Sequence, residues 1–149
     1  MDKVIHVSTV LQRDPHQAFA YFTQNRWLEQ WLTKVADVEP FVGGKYELFW
    51  NPDDRTHDST IGCRITAIVK DKLLAFEWKG PRQYESFAYT ADPLTHVVVS
   101  FIPEESTTHV HLIHSGWCST AEWEEMRVWF ERAWQQTFAK LESMVNLEE

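Results

Sequence analysis

The chain has 149 residues, 22 of them acidic and 14 basic, and its formal net charge is −8. This charge repels phosphate and argues against a nucleic-acid-binding protein, and the sequence has no apolar run of about 18 residues that would span a membrane. A chain of this length buries most of its surface in one core and its N-terminus has no signal-peptide pattern, so we expect residues 1–149 to form a single cytoplasmic domain.

The N-terminal region predicts a strand followed by two short helices. Residues 4–11, in "KVIHVSTVL", alternate apolar and polar side chains as a half-buried strand does. Asp14 is well placed to cap a helix that begins at Pro15, where the missing proline N–H costs nothing. The second helix, "NRWLEQWL", presents Trp27 and Trp31 on its apolar face.

Residues 37–117 have the pattern of an antiparallel meander. In "VEPFVGGKYELFW" the two glycines predict a turn, and Tyr46, Leu48 and Trp50 then share one face of a strand. The polar segment "NPDDRTHDS" is a predicted loop. The segment "TIGCRITAIV" predicts the next strand.

Three further strands complete the predicted meander. The segment "KLLAFEWKG" places Phe76 and Trp78 on one face, and Glu77 between them is expected to point outward. The segment "THVVVSFIP" contributes Phe101 and the segment "THVHLIHSGW" contributes Leu112, with the acidic turn "EEST" between them. Alternation therefore predicts a sheet with one strongly aromatic face.

The last element is a long amphipathic helix. Ser119 followed by Glu122 predicts a capping box, and no glycine or proline interrupts the segment as far as about residue 145. Trp129 lies outside the apolar face and is either a contact in a homodimer or a half-exposed aromatic residue. At about 100° per residue, the apolar face contains Met126, Phe130, Trp134, Thr137, Phe138 and Leu141.

Three histidines in "THVHLIHSGW" raise the question of a metal site. His109 and His111 share one face of the predicted strand, whereas His114 lies on the opposite face. No acid or cysteine in this strand completes a metal site, and Cys63 and Cys118 lack zinc-like spacing, so we expect neither a metal nor an organic cofactor. His114 is either a buried histidine bonded to a backbone carbonyl or a polar group in a pocket.

The segments "VGGKYEL", "IGCRI", "LLAFEW" and "THVHLIHSGW", with the helix "WEEMRVWFERAWQQTFAKLESM", resemble the family of homologues of the activator of the heat-shock chaperone ATPase. This family belongs to the START-like, SRPBCC superfamily, and the resemblance covers essentially the whole chain. It implies an α+β helix-grip fold, in which a curved antiparallel sheet wraps around a long C-terminal helix, two short helices follow the first strand, and an internal cavity remains.

The superfamily includes lipid and polyketide carriers, cyclases, proteins that capture toxic small molecules, and chaperone cofactors, so the fold alone leaves several functions open. We expect a small apolar or aromatic molecule to bind in a cavity between the sheet and the C-terminal helix. The alternatives are a module that interacts with a heat-shock chaperone in the stress response, and a cyclase- or hydrolase-type enzyme that uses His114.

The sequence has no nucleophile-elbow, P-loop, zincin or dinucleotide-binding motif, which favours the binding function. Tyr46 and Glu77 are the other candidates for an acid or a base inside a cavity. The residues predicted to contact the ligand are Trp27, Trp31, Tyr46, Leu48, Trp50, Phe76, Trp78, Phe101, Leu112, His114, Phe130, Trp134 and Phe138.

Overall fold

The computed structural model describes residues 3–146, which form an α+β fold with an antiparallel sheet curved around a long C-terminal helix. A 3-10 turn (Arg82–Tyr84) precedes the third helix. The other elements in chain order are β1 (Ile5–Leu11), α1 (Pro15–Thr23), α2 (Asn25–Trp31), β2 (Val35–Val38), β3 (Tyr46–Phe49), β4 (Ile65–Val69), β5 (Leu73–Trp78), α3 (Glu85–Ala88), β6 (Thr95–Glu104), β7 (Thr107–Ser115) and α4 (Ala121–Asn146).

The main sheet has five strands in the order β1-β7-β6-β5-β4, and all neighbouring strands are antiparallel. Strands β2 and β3 form a separate two-stranded sheet, whereas the sequence pattern predicted one continuous meander. Isolated bridges join the two sheets, from Lys45 to Arg64 and from Phe49 to Ser59. The loop over residues 50–64 separates β3 from β4 and prevents a continuous ladder.

Three elements differ from the sequence prediction. Strand β4 is only half as long as "TIGCRITAIV", because Gly62 has a φ of +85° and the chain turns there before it can pair. Strand β2 was not predicted, since only Ala36 and Val38 in this short segment are buried. The helical turns over residues 82–88 were also missed, and they bury Tyr84 and Ala88.

The helix starts follow local capping chemistry. The carboxylate of Asp14 accepts the Gln17 N–H at 2.8 Å, which confirms the predicted cap of α1. In α4 the cap is Thr120, whose hydroxyl oxygen accepts the Trp123 N–H at 3.4 Å. The prediction of Ser119 as the cap was wrong by one residue, because the chain enters the helical conformation one position later.

Aromatic side chains fill the space between the inner face of the main sheet and α4. Phe22 of α1 contacts Trp31 of α2 at a ring-centroid distance of 4.9 Å, and Trp31 contacts Phe138 of α4 at 6.2 Å. The two N-terminal helices, which the sequence predicted, therefore pack their aromatic side chains against the core. Within residues 3–146, no helix is long and apolar enough to cross a membrane.

Candidate ligand pocket

A pocket of about 330 Å³ lies between α4 and the C-terminal end of β5. Trp78 forms its floor and is only 3 % exposed, whereas Trp50 and Trp129 at its mouth are 39 % and 41 % exposed. Trp78 contacts Trp134 at a ring-centroid distance of 5.1 Å and Phe130 at 6.4 Å. The pocket is therefore an aromatic slot with a buried floor and an open mouth.

The periodicities of β5 and α4 place these walls. Alternation along β5 directs Trp78 inward, and Phe130, Trp134 and Thr137 follow one another on one face of α4. Gly80, just after β5, allows the helix to approach, because a Cβ at this position would lie 3.1 Å from the Met126 sulfur. A strand end and a helix face thus meet without filling the space between them.

The polar groups on the pocket rim are mostly occupied by hydrogen bonds within the protein. The Asp58 carboxylate accepts the Arg82 N–H at 2.8 Å, and its own backbone N–H donates to the Tyr89 hydroxyl at 3.0 Å. The Ser59 hydroxyl donates to the Arg55 carbonyl at 2.7 Å. These bonds fix the loop beside the pocket, which therefore has a preformed polar rim.

An ion-paired histidine joins the loop at residues 50–64 to α3 beside this rim. His57 Nδ1 lies 2.8 Å from an Asp54 oxygen, and His57 Nε2 lies 2.7 Å from a Glu85 oxygen. These two carboxylates, Asp54 above all, raise the pKa of His57. Hydrogen bonds from Thr56 and His57 lower the pKa of Asp54 to about 2. Sequence reasoning missed this cluster, because Glu85 is far from the loop in the chain.

His114 lies behind the pocket wall, in the core, and does not line the pocket. The Trp134 indole N–H donates to His114 Nδ1 at 3.1 Å, so this nitrogen is the acceptor and Nε2 carries the proton. Nε2 donates to the Thr95 hydroxyl at 3.0 Å, and Thr95 donates to the Trp78 carbonyl at 3.1 Å. This chain of bonds links α4 to three strands of the sheet.

The environment of His114 keeps the imidazole neutral. Burial, with a small contribution from His96, lowers the pKa of His114 to about 3. Its partners are side chains rather than the backbone carbonyl that the sequence suggested. The imidazole is fully buried with both nitrogens bonded, and it therefore makes no contact with a molecule in the pocket.

Four of the predicted contact residues line the pocket, namely Trp50, Trp78, Phe130 and Trp134. Phe49, the last residue of β3, is buried. Trp50 comes directly after the strand, and its side chain lies at the mouth of the pocket. Sequence patterns did not indicate the rim residues, because loops have no periodicity. The other predicted residues do not line it, and they are Trp27, Trp31, Tyr46, Leu48, Phe76, Phe101, Leu112, His114 and Phe138.

Tyr46 and Glu77, the other candidates for acid–base chemistry, also lie outside the pocket. The Tyr46 hydroxyl donates to the Phe22 carbonyl at 2.7 Å, and burial raises the pKa of Tyr46 far above its usual value. Glu77 points away from the core, as predicted, and accepts the Arg64 N–H at 2.9 Å. Neither side chain is in a position to transfer a proton to a molecule in the pocket.

The outer face of the sheet has a histidine cluster that the sequence showed only in part. His6 of β1 lies with its Nε2 atom 3.0 Å from His111 Nδ1, and the His109 and His111 rings are 4.0 Å apart. Partial burial, and then the charges of His109 and His6, lower the pKa of His111. Within residues 3–146, no three His, Cys, Asp or Glu side chains are arranged to hold a metal ion.

Residues 12–146 match the family described as Activator of Hsp90 ATPase homolog 1-like protein. Among curated proteins, no sequence matches the chain. Among solved structures, the protein MLL2253 from Mesorhizobium loti is similar with a TM-score of 0.77 and 19% identity, over 99% of each chain.

Two other solved structures are also similar to the chain over nearly its whole length. The Aha1 dimer from Colwellia psychrerythraea has a TM-score of 0.73 and 16% identity, over 96% of each chain. PFC0360w from Plasmodium falciparum, described as an HSP90 activator, has a TM-score of 0.71 and 19% identity, also over 96% of each chain. At these low sequence identities, the similarity to the three structures shows a shared fold alone.

Proposed function

This chain belongs to the family of Activator of Hsp90 ATPase homolog 1-like proteins, and on that premise we propose that it binds a small apolar or aromatic molecule in the pocket between β5 and α4. The unfilled space beside Trp78 is the observation on which the proposal rests. Well-packed cores leave few voids larger than a water molecule. A volume of about 330 Å³ instead falls within the range of small-molecule sites, about 300–1,000 Å³.

The walls of the pocket suit a flat, apolar ligand. Trp78 packs edge-to-face with Phe130 at 80° and is tilted by 47° from Trp134, so the walls present both ring faces and ring edges. A ligand that buries about 150 Å² of apolar surface there would gain roughly 4 kcal/mol before the cost of association. Such a gain supports modest affinity, which the preformed walls improve because little reorganisation is needed.

Filling the pocket should abolish ligand binding. Ala133 lines the pocket on α4, so the ring in Ala133→Phe would occupy the space that a ligand needs. We expect at least about tenfold weaker binding of N-phenyl-1-naphthylamine, a neutral probe whose emission rises in apolar sites. The measurement is a fluorescence titration of both proteins at equal concentration.

The matched control is Ala139→Phe, the same substitution on the same helix at an exposed position. It should leave probe affinity unchanged, and circular dichroism should show both variants to be folded. Undiminished binding by Ala133→Phe, or equal loss in both variants, would count against the pocket as the binding site.

A second candidate function is contact with a heat-shock chaperone, in keeping with the family description. Val128 and Trp129 of α4 are 44 % and 41 % exposed, and neighbouring exposed apolar side chains favour a protein contact. A homodimer is the other protein contact that this patch suits. Because Ala133→Phe leaves Val128 unchanged, chaperone stimulation that persists in this variant after probe binding is lost would separate the two functions.

An enzymatic reaction through His114 gains no support from its surroundings. The imidazole is fully buried, both nitrogens are hydrogen-bonded to side chains, and burial lowers its pKa to about 3. A general acid or base needs contact with the reacting group and a pKa near the working pH. We therefore propose binding rather than catalysis as the function of this pocket.

We also infer that residues 1–149 work as one domain in the cytoplasm. The buried residues form one continuous cluster that includes residues from Ile5 to Val145. Cys63 and Cys118 are free thiols, which is the usual state of cysteines in a reducing compartment.

A further inference from the structure

The floor of the pocket contains a hydrogen-bond donor without a partner. Trp78 is almost fully buried, yet its indole N–H makes no hydrogen bond within residues 3–146. It differs from the N–H of Trp27, which is likewise unpaired but sealed from solvent. A donor that is unpaired and still accessible, on a residue that lines a pocket, is available to whatever enters the pocket.

The other indoles buried or half-buried in the pocket wall are already engaged. Trp50 donates its N–H to the Leu32 carbonyl at 2.9 Å, and Trp134 donates to His114 at 3.1 Å. These two groups hold the wall in place and cannot also serve a ligand. Trp129 is exposed, so water can satisfy its N–H.

The indole N–H of Trp78 can be reached from the pocket, because packed aromatic rings surround the rest of the side chain. The rings of Phe76, Phe130, Trp134 and His114 all lie within 6.4 Å of the Trp78 ring, centroid to centroid. Phe76 and His114 do not line the pocket and pack against the core side of the indole, whereas Phe130 and Trp134 belong to the pocket wall. The free volume that Trp78 borders is the pocket itself.

The charged side chains at this end of the pocket are engaged within the protein. Lys79 lines the pocket next to Trp78, and its ammonium group faces the Tyr89 ring at 5.8 Å. Asp58, the acidic residue on the rim, is engaged by the Arg82 N–H. The unpaired Trp78 donor therefore selects an oxygen acceptor over a purely hydrocarbon group.

We infer that the ligand is a planar aromatic molecule bearing an oxygen acceptor, and that the Trp78 indole N–H binds this oxygen. The inference rests on the proposed function, since it assigns the ligand class of the same pocket. The ring of the ligand fills the space beside the Trp78, Phe130 and Trp134 rings, and its oxygen accepts the unpaired Trp78 N–H. Hydrocarbons of the same shape fit the slot but leave that donor unpaired.

The experiment compares two probes of equal shape, 2-acetylnaphthalene and 2-isopropenylnaphthalene, which differ only by an oxygen in place of a methylene group. Equilibrium dialysis measures both affinities without relying on protein fluorescence. We expect the wild type to prefer the ketone about tenfold, the factor that one good hydrogen bond supplies. In Trp78→Phe, which keeps an aromatic ring but lacks the N–H, this preference should fall to about one.

Trp50→Phe is the matched control, because the Trp50 N–H is already bonded to the protein. This variant should keep the preference for the ketone even if both affinities change. Equal binding of the two probes by the wild type, or a preference that survives in Trp78→Phe, would overturn the inference while leaving the proposed function intact. Failure of both probes to bind would instead reject the proposed function itself.

A second measurement does not depend on how well Trp78→Phe folds. In the amide and indole correlation spectrum of ¹⁵N-labelled wild-type protein, one indole N–H signal should move downfield with the ketone and not with the alkene. That signal should be the Trp78 indole, as assigned from the spectra of the wild-type protein itself. A downfield shift confined to another indole, or to none, would overturn the inference.

Discussion

At the scale of single residues, His114 is a structural connection rather than a reactive group. One imidazole nitrogen accepts from Trp134 of α4, and the other donates to Thr95 of β6. Because the side chain is fully buried, each partner would be left without a hydrogen bond if the imidazole were removed. The position of α4 over the sheet therefore depends on this side chain.

His114→Phe should lower the free energy of unfolding by about 1–3 kcal/mol, because it strands the Trp134 N–H inside the core. Urea denaturation at neutral pH measures this difference. The control is His16→Phe on the exposed side of α1, which should change stability by less than about 0.5 kcal/mol. An equally stable His114→Phe protein would show that the bond network contributes nothing.

The sequence could predict on which face His114 lies but not what binds it. Alternation in β7 correctly separates His114 from His109 and His111. Its partner Thr95 comes from β6 and its other partner comes from α4, and pairing across elements leaves no local signal in the chain. The sequence therefore left open whether this histidine was a core residue or a pocket residue.

At the scale of elements, the predictions succeeded where a periodic pattern continues over many residues. The apolar stripe and the absence of glycine and proline predicted a long uninterrupted helix to about residue 145, and α4 covers Ala121–Asn146 of the described residues. Strand β4 was predicted too long because alternation alone does not reveal the positive φ of Gly62. Loop contacts such as the one between His57 and Glu85 have no periodicity and were not predicted.

The loop at residues 50–64 should be held beside α3 in a pH-dependent way. Asp54 and Glu85 raise the pKa of His57, so the charged contact is complete below about pH 6.5, the unfolded-state value. It is lost as the pH rises through the higher pKa of the folded protein. We expect ¹⁵N relaxation of residues 56–59 to show greater mobility at pH 8.5 than at pH 6.0.

His57→Gln should make this loop equally mobile at both pH values, because the amide carries no titrating charge. Asp53→Asn is the control on the same loop, since the Asp53 side chain takes no part in the contact with His57. A loop whose mobility does not change with pH in the wild type would contradict this role for His57.

At the scale of the whole molecule, the pocket exists because two well-packed layers do not meet completely. Helix α4 closely approaches the chain just after β5 at Gly80, where a Cβ atom would lie 3.1 Å from the Met126 sulfur. Beside this contact, Trp78 of β5 and Phe130 and Trp134 of α4 border a free volume that no side chain of the described residues fills. Periodicity predicted which side chains point inward, but only the packed structure shows where the interior remains unfilled.

The outer face of the sheet shows the same limit of sequence reasoning. The sequence indicated His109 and His111 as neighbours, and cross-strand pairing of β1 with β7 adds His6 to them. The same face exposes Ile102 and Ile113, which no helix within residues 3–146 covers. Strand order, which the local pattern does not determine, decides which residues meet there.

A crystal structure of the protein saturated with 2-acetylnaphthalene tests the central claim most directly. The account predicts ligand density in the pocket, with the naphthalene ring against Phe130 and Trp134 and the ketone oxygen about 3 Å from Trp78 Nε1. An empty pocket in a protein that binds the probe in solution, or density only on the outer face of the sheet, would contradict it.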